Sequence, residues 1–260
     1  MSILESILLG IIQGLTEFLP VSSSGHIEIG KTLLNSSFFE KENLLFTVIL
    51  HFATAISTII VFRKTIATVL RGLIKQQKKE MAFSFKIVIS MIPAALIGFF
   101  FEDEIANLFS GSLSFVGYML IITALLLYLA DKGKATARKV GYADSFIIGI
   151  AQAIAILPGI SRSGSTIATS VLLGIDKKKS AEFSFLMVIP LILGKIAKDI
   201  LSGELEALSS VNFLPFLFGF LAALISGYFA CHWMLNLVRR SKLTYFAVYC
   251  LIVGIIAINS

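Results

Sequence analysis

Charge is scarce in this sequence. Only 15% of its 260 residues are Asp, Glu, Lys or Arg, against about 25% in a soluble globular domain. That is too little for a water-facing surface and far too little for a disordered chain. Cysteine is nearly absent. Both copies, Cys231 and Cys250, lie in apolar stretches, which excludes a secreted disulfide framework and reads them as small hydrophobes. The first apolar run carries Glu5 and no basic residue, and no small-x-small site follows it, so it does not read as a signal peptide. The period-2 alternation of a membrane barrel is missing too. What remains is oil: 57% hydrophobic residues and a mean hydropathy of +0.90. These describe an integral membrane protein built of helices. The net charge of +6 then reports topology, and no nucleic-acid partner is expected.

A hydrocarbon core of ~30 Å takes about 17–25 helical residues to cross. Six stretches qualify: Leu44–Phe62, Phe83–Phe101, Leu113–Ala130, Ala181–Leu201, Phe213–Val238 and Leu243–Asn259. The segments between them differ in sign. Arg63, Lys64, Arg71, Lys75, Lys78 and Lys79 form one basic loop, and Lys132, Lys134, Arg138 and Lys139 a second. Lys177–Lys179 and Arg239, Arg240 and Lys242 form two more, so that 16 of the 22 Lys and Arg fall in these four places. The alternate loops carry Glu102, Asp103 and Glu104, then Asp199, Glu204 and Glu206. The positive-inside rule puts the basic loops in the cytoplasm, with both termini outside.

Two segments are too short and too polar to span. Ile3–Leu19 runs into Pro20 and then Val21-Ser22-Ser23-Ser24-Gly25-His26; Phe146–Leu157 runs into Pro158 and the polar Gly159–Thr166. At an offset of 139 they match at Gly10/Gly149, Gln13/Gln152, Ser22/Ser161, Ser24/Ser163 and Gly25/Gly164. Each copy precedes three spans, an odd number, so the second copy is inverted. The expected architecture is all-α: a single membrane domain over 1–260 with six transmembrane helices and two re-entrant hairpins. Repeat 1 covers about 1–130 (re-entrant 3–30) and repeat 2 about 144–260 (re-entrant 144–175). Polar backbone at membrane depth must face protein or a wet cavity, so the two Ser/Gly loops are expected to meet around a polar site.

The chemistry-bearing residues lie in those loops. Gln13 and Glu17 are one helical turn apart, and a carboxylate at membrane depth costs about 2.5–3.5 kcal/mol, which marks function or pairing. His26 follows the serine run and is a candidate nucleophile, base or acid. Arg162 opens an apolar helical turn among Ser161, Ser163, Gly164, Ser165 and Thr166. Small residues, a helix N-terminus, hydroxyls and a guanidinium fork together describe a phosphate cradle. No G-x-x-x-x-G-K-[ST] loop is present. His51 reads as a mid-span hydrogen-bonding residue, Lys195 and Lys198 as snorkelling charges, Pro93 and Pro190 as kinks, and the phenylalanines as lipid-facing and packing groups.

At these residues the chain resembles the undecaprenyl-diphosphate phosphatases of the bacitracin-resistance family. Gln13-x-x-x-Glu17-Phe18-Leu19-Pro20-Val21-Ser22-Ser23-Ser24-Gly25-His26 is similar to its first motif, with Gln13 where some members carry Glu. Pro158-Gly159-x-Ser161-Arg162-Ser163-x-x-Thr166 resembles its second, and Glu182-Phe183-Ser184-Phe185-Leu186 with Pro190 a third stretch. The resemblance implies release of the terminal phosphate from undecaprenyl diphosphate, a divalent cation (Mg²⁺ or Ca²⁺), a site open to the outer face, and bacitracin resistance. In that setting Arg162, Ser161, Ser163 and Thr166 would hold the diphosphate, and Glu17 with Gln13 would position the metal. Ser22 or Ser23 would attack with His26 as base and then acid, or His26 would itself attack. The rival reading is a transporter or flippase of an anionic substrate or lipid carrier, because inverted repeats are also the transporter plan.

Overall fold

In chain order the described helices are α1 (Ile3–Phe18), α2 (Ser23–Leu33), α3 (Glu40–Val61), α4 (Arg63–Ile74) and α5 (Lys78–Phe100). They continue with α6 (Leu113–Asp131), α7 (Tyr142–Ile154), α8 (Arg162–Leu172), α9 (Lys177–Leu201), α10 (Phe213–Arg239) and α11 (Leu243–Ile258). The computed structural model describes residues 2–34, 40–101, 104–105, 113–133, 136–201, 213–239 and 242–259, and no strand occurs among them. Glu102, Asp103, Lys134, Glu204, Glu206 and Arg240, used above to read topology, lie outside the described residues.

Local chemistry sets the two short pairs. Ser2 Oγ accepts Glu5 N–H at 3.2 Å and Glu5 Oε2 accepts Ser2 N–H at 2.9 Å. This reciprocal cap makes Glu5 a helix-end charge and starts α1. Leu19 is extended (φ −68°, ψ 142°), the conformation a following proline favours, and α1 stops there. Ser22 then caps α2, its Oγ accepting Gly25 N–H at 3.2 Å. The second pair repeats this plan: Asp144 Oδ2 takes Gly141 N–H at 2.7 Å at the start of α7. After Pro158, Ser161 Oγ takes Gly164 N–H at 3.0 Å at the start of α8. Neither α1, ~24 Å long, nor α7, ~20 Å, reaches across ~30 Å of hydrocarbon.

Among the described residues four helices are long and apolar enough to cross a membrane: α5, α6, the Lys177–Lys198 part of α9, and the Phe213–Val238 part of α10. A fifth candidate is Leu45–Val61 of α3, bent by 78° from α4. The sixth expected span, Leu243–Asn259, falls short. Its helix α11 has 16 residues, or ~24 Å. Asp131 at the end of α6 fixes where α11 begins, accepting Leu243 N–H at 3.2 Å and Thr244 N–H at 3.3 Å. The basic run Arg63–Lys79 is also not the expected loop. Twelve of its residues form α4, because Ile66, Val69, Leu70 and Leu73 recur at helical spacing. Pro93 and Pro190 lie inside α5 and α9.

Glycine lets the helices close on one another. A Cβ at Gly117 of α6 would stand 2.6 Å from Gly254 O on α11, and one at Gly254 would stand 2.8 Å from Gly117 O. A Cβ at Gly149 of α7 would stand 2.6 Å from Ser90 O of α5, and Gly10 of α1 meets Gly219 O of α10 in the same manner. Such small-residue seams drive association where lipid offers no hydrophobic gain. The main core gathers where the two hairpins converge. Phe185 of α9 packs on Phe18 (ring centroids 5.6 Å apart) and Phe62 (6.2 Å), with Leu120, Leu127, Ile167 and Met234 buried in the same cluster.

Candidate active site

The two hairpin turns touch. Ser163 Oγ, in the first turn of α8, donates to Leu19 O at the end of α1 at 3.2 Å. Beside this contact Glu17 is 7% exposed, and its carboxylate gathers the site. One oxygen, Oε1, pairs with Arg162 Nη2. The other, Oε2, accepts Ser23 Oγ at 2.8 Å and Gln13 Nε2 at 2.9 Å, and His51 Nε2 stands 3.8 Å away. A carboxylate cannot donate, so the Gln13 amide must turn its NH₂ to Glu17 and its oxygen away. A buried anion matched by one cation and two donors is a stable arrangement only as a set.

Two buried atoms of this set have no hydrogen-bond partner among the described residues: Arg162 Nη1, a donor, and Gln13 Oε1, an acceptor. Buried polar atoms are ordinarily satisfied. A guanidinium N–H left open beside a helix N-terminus suits an anion oxygen, and an open amide oxygen beside a carboxylate suits a hard cation. No group of three His, Cys, Asp or Glu that could hold a metal occurs among the described residues. Gln13 Oε1 and Glu17 therefore fit a Mg²⁺ or Ca²⁺ held largely by water and substrate oxygens, as Mg²⁺ commonly is, and not a protein cage.

The hydroxyls separate into two kinds. Ser23 is half-buried and rests on Glu17. Ser22 is buried, has the left-handed φ of +71° that non-glycine residues rarely adopt, and caps α2. Ser161 is the α8 cap, Ser163 ties the hairpins, and Thr166 Oγ1 bonds Arg162 O at 2.9 Å and Ser184 Oγ at 2.6 Å. All three are buried and brace the turn that carries Arg162. His26, on the same helix as Ser23, directs Nδ1 to Ser22 O at 2.8 Å and Nε2 to Tyr249 Oη at 2.8 Å. The carbonyl can only accept, so Nδ1 carries the hydrogen and Nε2 offers its lone pair to the tyrosine.

Sequence reasoning missed three supports. His51 turns toward Glu17 while its Nδ1 bonds Thr47 O at 2.8 Å, and its only signal was a mid-span imidazole. Thr123 of α6 receives Ser161 N–H at 3.0 Å and donates to Gly159 O at 3.3 Å, clamping the second turn; a threonine in the middle of an apolar helix could have marked it. Tyr249 gave no signal among the other aromatic residues of α11. The Glu182–Leu186 stretch is the floor of the second hairpin, with Phe183 and Phe185 buried and Ser184 on Thr166.

Known sequences decide the family. The family described as "Bacitracin resistance protein BacA" matches residues 6–256. The chain belongs to that family. It is 60% identical over 259 residues to a protein of Christiangramia forsetii named undecaprenyl-diphosphatase, covering 99% of this chain and 98% of that one. A Bacteroides fragilis protein of the same name is 48% identical over 259 residues, with 98% and 96% covered. One from Methanococcus vannielii is 40% identical over 258 residues, with 98% and 99% covered. Family membership and the apolar helices together make this BacA-family chain a multi-pass membrane protein.

Proposed function

We propose that the chain hydrolyses undecaprenyl diphosphate to undecaprenyl phosphate and inorganic phosphate, recycling the lipid carrier of peptidoglycan synthesis and conferring bacitracin resistance. The observation that carries the mechanism is the shared Glu17 carboxylate, with Ser23 Oγ on one oxygen and Arg162 on the other. Phosphoryl transfer needs a positioned nucleophile and charge stabilisation on the equatorial oxygens. Anion passage needs no serine held on a carboxylate, which disfavours the transport reading.

Arg162 Nη1 and the first N–H groups of α8 receive the terminal phosphate, and Ser161, Ser163 and Thr166 hold that turn in place. Ser23 Oγ attacks the terminal phosphorus and passes its proton to Glu17 Oε2. The bond from phosphorus to the bridging oxygen breaks, and undecaprenyl phosphate departs with the bonding electron pair. Water then attacks the phosphoserine. The phosphorus–Oγ bond breaks, Glu17 returns its proton to Ser23 Oγ, and inorganic phosphate leaves with both protons of the water. His26, held between Ser22 O and Tyr249 Oη, is the neighbouring acid–base group, and Ser22 keeps the turn that presents Ser23. Glu17 and Gln13 Oε1 are the residues that would hold a divalent cation, whose chemistry would be to offset phosphate charge.

The finer architecture belongs to the same proposal. The hairpins α1–α2 and α7–α8 are the inverted copies, the basic segments lie in the cytoplasm, the short α11 crosses where the bilayer thins to its length, both termini lie outside, and the pocket opens to the outer face. The matched caps at Ser22 and Ser161 and the matched glycine seams at Gly10 and Gly149 support the repeat. The test is phosphate release from prenyl diphosphates by purified protein in detergent, with and without a chelator. Wild type is expected to release phosphate and Arg162→Ala and Glu17→Ala to lose nearly all of it. Undiminished release by either variant would remove the assignment.

A further inference from the structure

Helix α4 plays no part in the site described above, yet it is strongly two-sided. Lys64, Thr68, Arg71 and Lys75 follow one another at spacings of four, three and four, along one stripe. Ile66, Val69, Leu70, Leu73 and Ile74 occupy the opposite arc. Ile66 packs on the main core, but Leu70 is 54% and Ile74 83% exposed. The apolar arc is thus only partly covered by the chain itself.

The direction of α4 indicates what covers the rest. Phe62 breaks the helix path without a side-chain cap, and α4 leaves the apolar Leu45–Val61 segment at 78°. A helix that turns almost perpendicular to a candidate span lies along the membrane plane. Its far end is anchored, since Gly72 is buried directly against the Glu80 side chain of α5. The corner adds Lys78 and Lys79, both exposed. Glu80 is the only carboxylate in the Arg63–Glu80 sequence. None of the basic groups of this segment has a carboxylate within ion-pair distance among the described residues. An apolar arc below and unpaired cations beside it are the features of a helix seated at the headgroup level of an anionic leaflet.

We propose that α4 and the α4–α5 corner form a docking surface for lipids with anionic phosphodiester headgroups, whose acyl chains cover Leu70, Leu73 and Ile74 while Lys64, Arg71 and Lys75 hold the phosphates. Free phosphate satisfies the cations but leaves the apolar arc bare, so the occupant is a lipid.

The experiment uses the full-length protein in vesicles of phosphatidylcholine containing a minority of spin-labelled phosphatidylglycerol or spin-labelled phosphatidylcholine. Wild type is expected to retain the anionic label preferentially, and K64Q/R71Q/K75Q to cut that preference about tenfold, with inorganic phosphate unable to displace the lipid. Cys231 and Cys250 are buried, so Leu70→Cys gives a selective labelling position; its label is expected to be quenched by lipid-borne and not by aqueous quenchers. Phosphate release in detergent checks that each variant is folded. Equal retention of both lipids by wild type, an unchanged preference in the triple variant, displacement by inorganic phosphate, or a Leu70→Cys label open to water would each overturn the proposal.

Discussion

Glu17 and Arg162 stand 145 positions apart in the chain and form one ion pair. Each comes from the turn region of a different hairpin, so the pair is also the joint between them. Removing one partner leaves a buried charge alone, which costs about 3–5 kcal/mol. Glu17→Gln and Arg162→Ala should therefore each lower thermal stability as well as activity. The double variant should be more stable than the sum of the single losses predicts. Thermal melting in one detergent across the four proteins measures this coupling.

Arg162→Lys separates charge from shape. Lysine keeps the positive charge but loses the fork that reaches Glu17 with one nitrogen and leaves another for phosphate. Turnover is expected to fall at least about 100-fold while melting shifts less than in Arg162→Ala. Steady-state phosphate release beside melting curves checks both halves. Wild-type turnover by Arg162→Lys would mean that charge alone suffices.

The two neighbouring serines should fail differently. Ser23→Ala removes the hydroxyl that rests on Glu17 and is expected to abolish both turnover and any trapped phosphoenzyme. Ser22→Ala removes a helix cap and is expected to cost about 1 kcal/mol of stability while leaving a measurable phosphoenzyme. Ser22→Gly should recover part of that loss, because glycine tolerates the left-handed backbone at position 22. Rapid quench with labelled substrate followed by peptide mapping reads the outcome directly.

Tyr249→Phe should act on rate and not on binding. The His26 and Tyr249 ring planes are nearly parallel, 11° apart, and Tyr249 Oη stands 2.8 Å from His26 Nε2. Losing it leaves the imidazole less firmly aimed. The expected result is a kcat lowered about tenfold with KM unchanged. A matching rise in KM would assign the tyrosine to substrate binding instead.

The glycine seam between α6 and α11 has no room for a side chain. Gly117→Leu or Gly254→Leu should separate the helices and lower the melting temperature strongly, through overpacking of about 1–3 kcal/mol or more. Gly98, which has nothing within 4 Å of a built Cβ, should accept Ala with little change. Melting curves of the three variants give the comparison.

Legibility followed what each feature depends on. Hydropathy exposed the long helices, since length and apolarity are local properties of the chain. The charged and small residues of the hairpins exposed Glu17, Arg162 and the serine run, because polar groups at membrane depth are costly enough to stand out. The α4 helix was hidden by its basic residues, which dominated a reading by sign and masked the apolar spacing of Ile66, Leu70 and Leu73. The length of α11 was hidden because Asp131, 112 positions from Leu243, sets its start. Choosing between Ser22 and Ser23 required geometry. Adjacent residues of one type look alike in sequence, and only the backbone decides which hydroxyl becomes a cap and which reaches a carboxylate.

The offset of 139 has one more implication. It carries position 23 onto position 162 and position 17 onto position 156, so the duplicated frame holds Ser23 where its twin holds Arg162, and Glu17 where its twin holds Ile156. A symmetric pair of identical half-length chains would present two serines or two arginines at these positions, never one of each. On the mechanism proposed above, joining both halves in a single polypeptide lets gene-encoded asymmetry assign attack to one half and anion capture to the other.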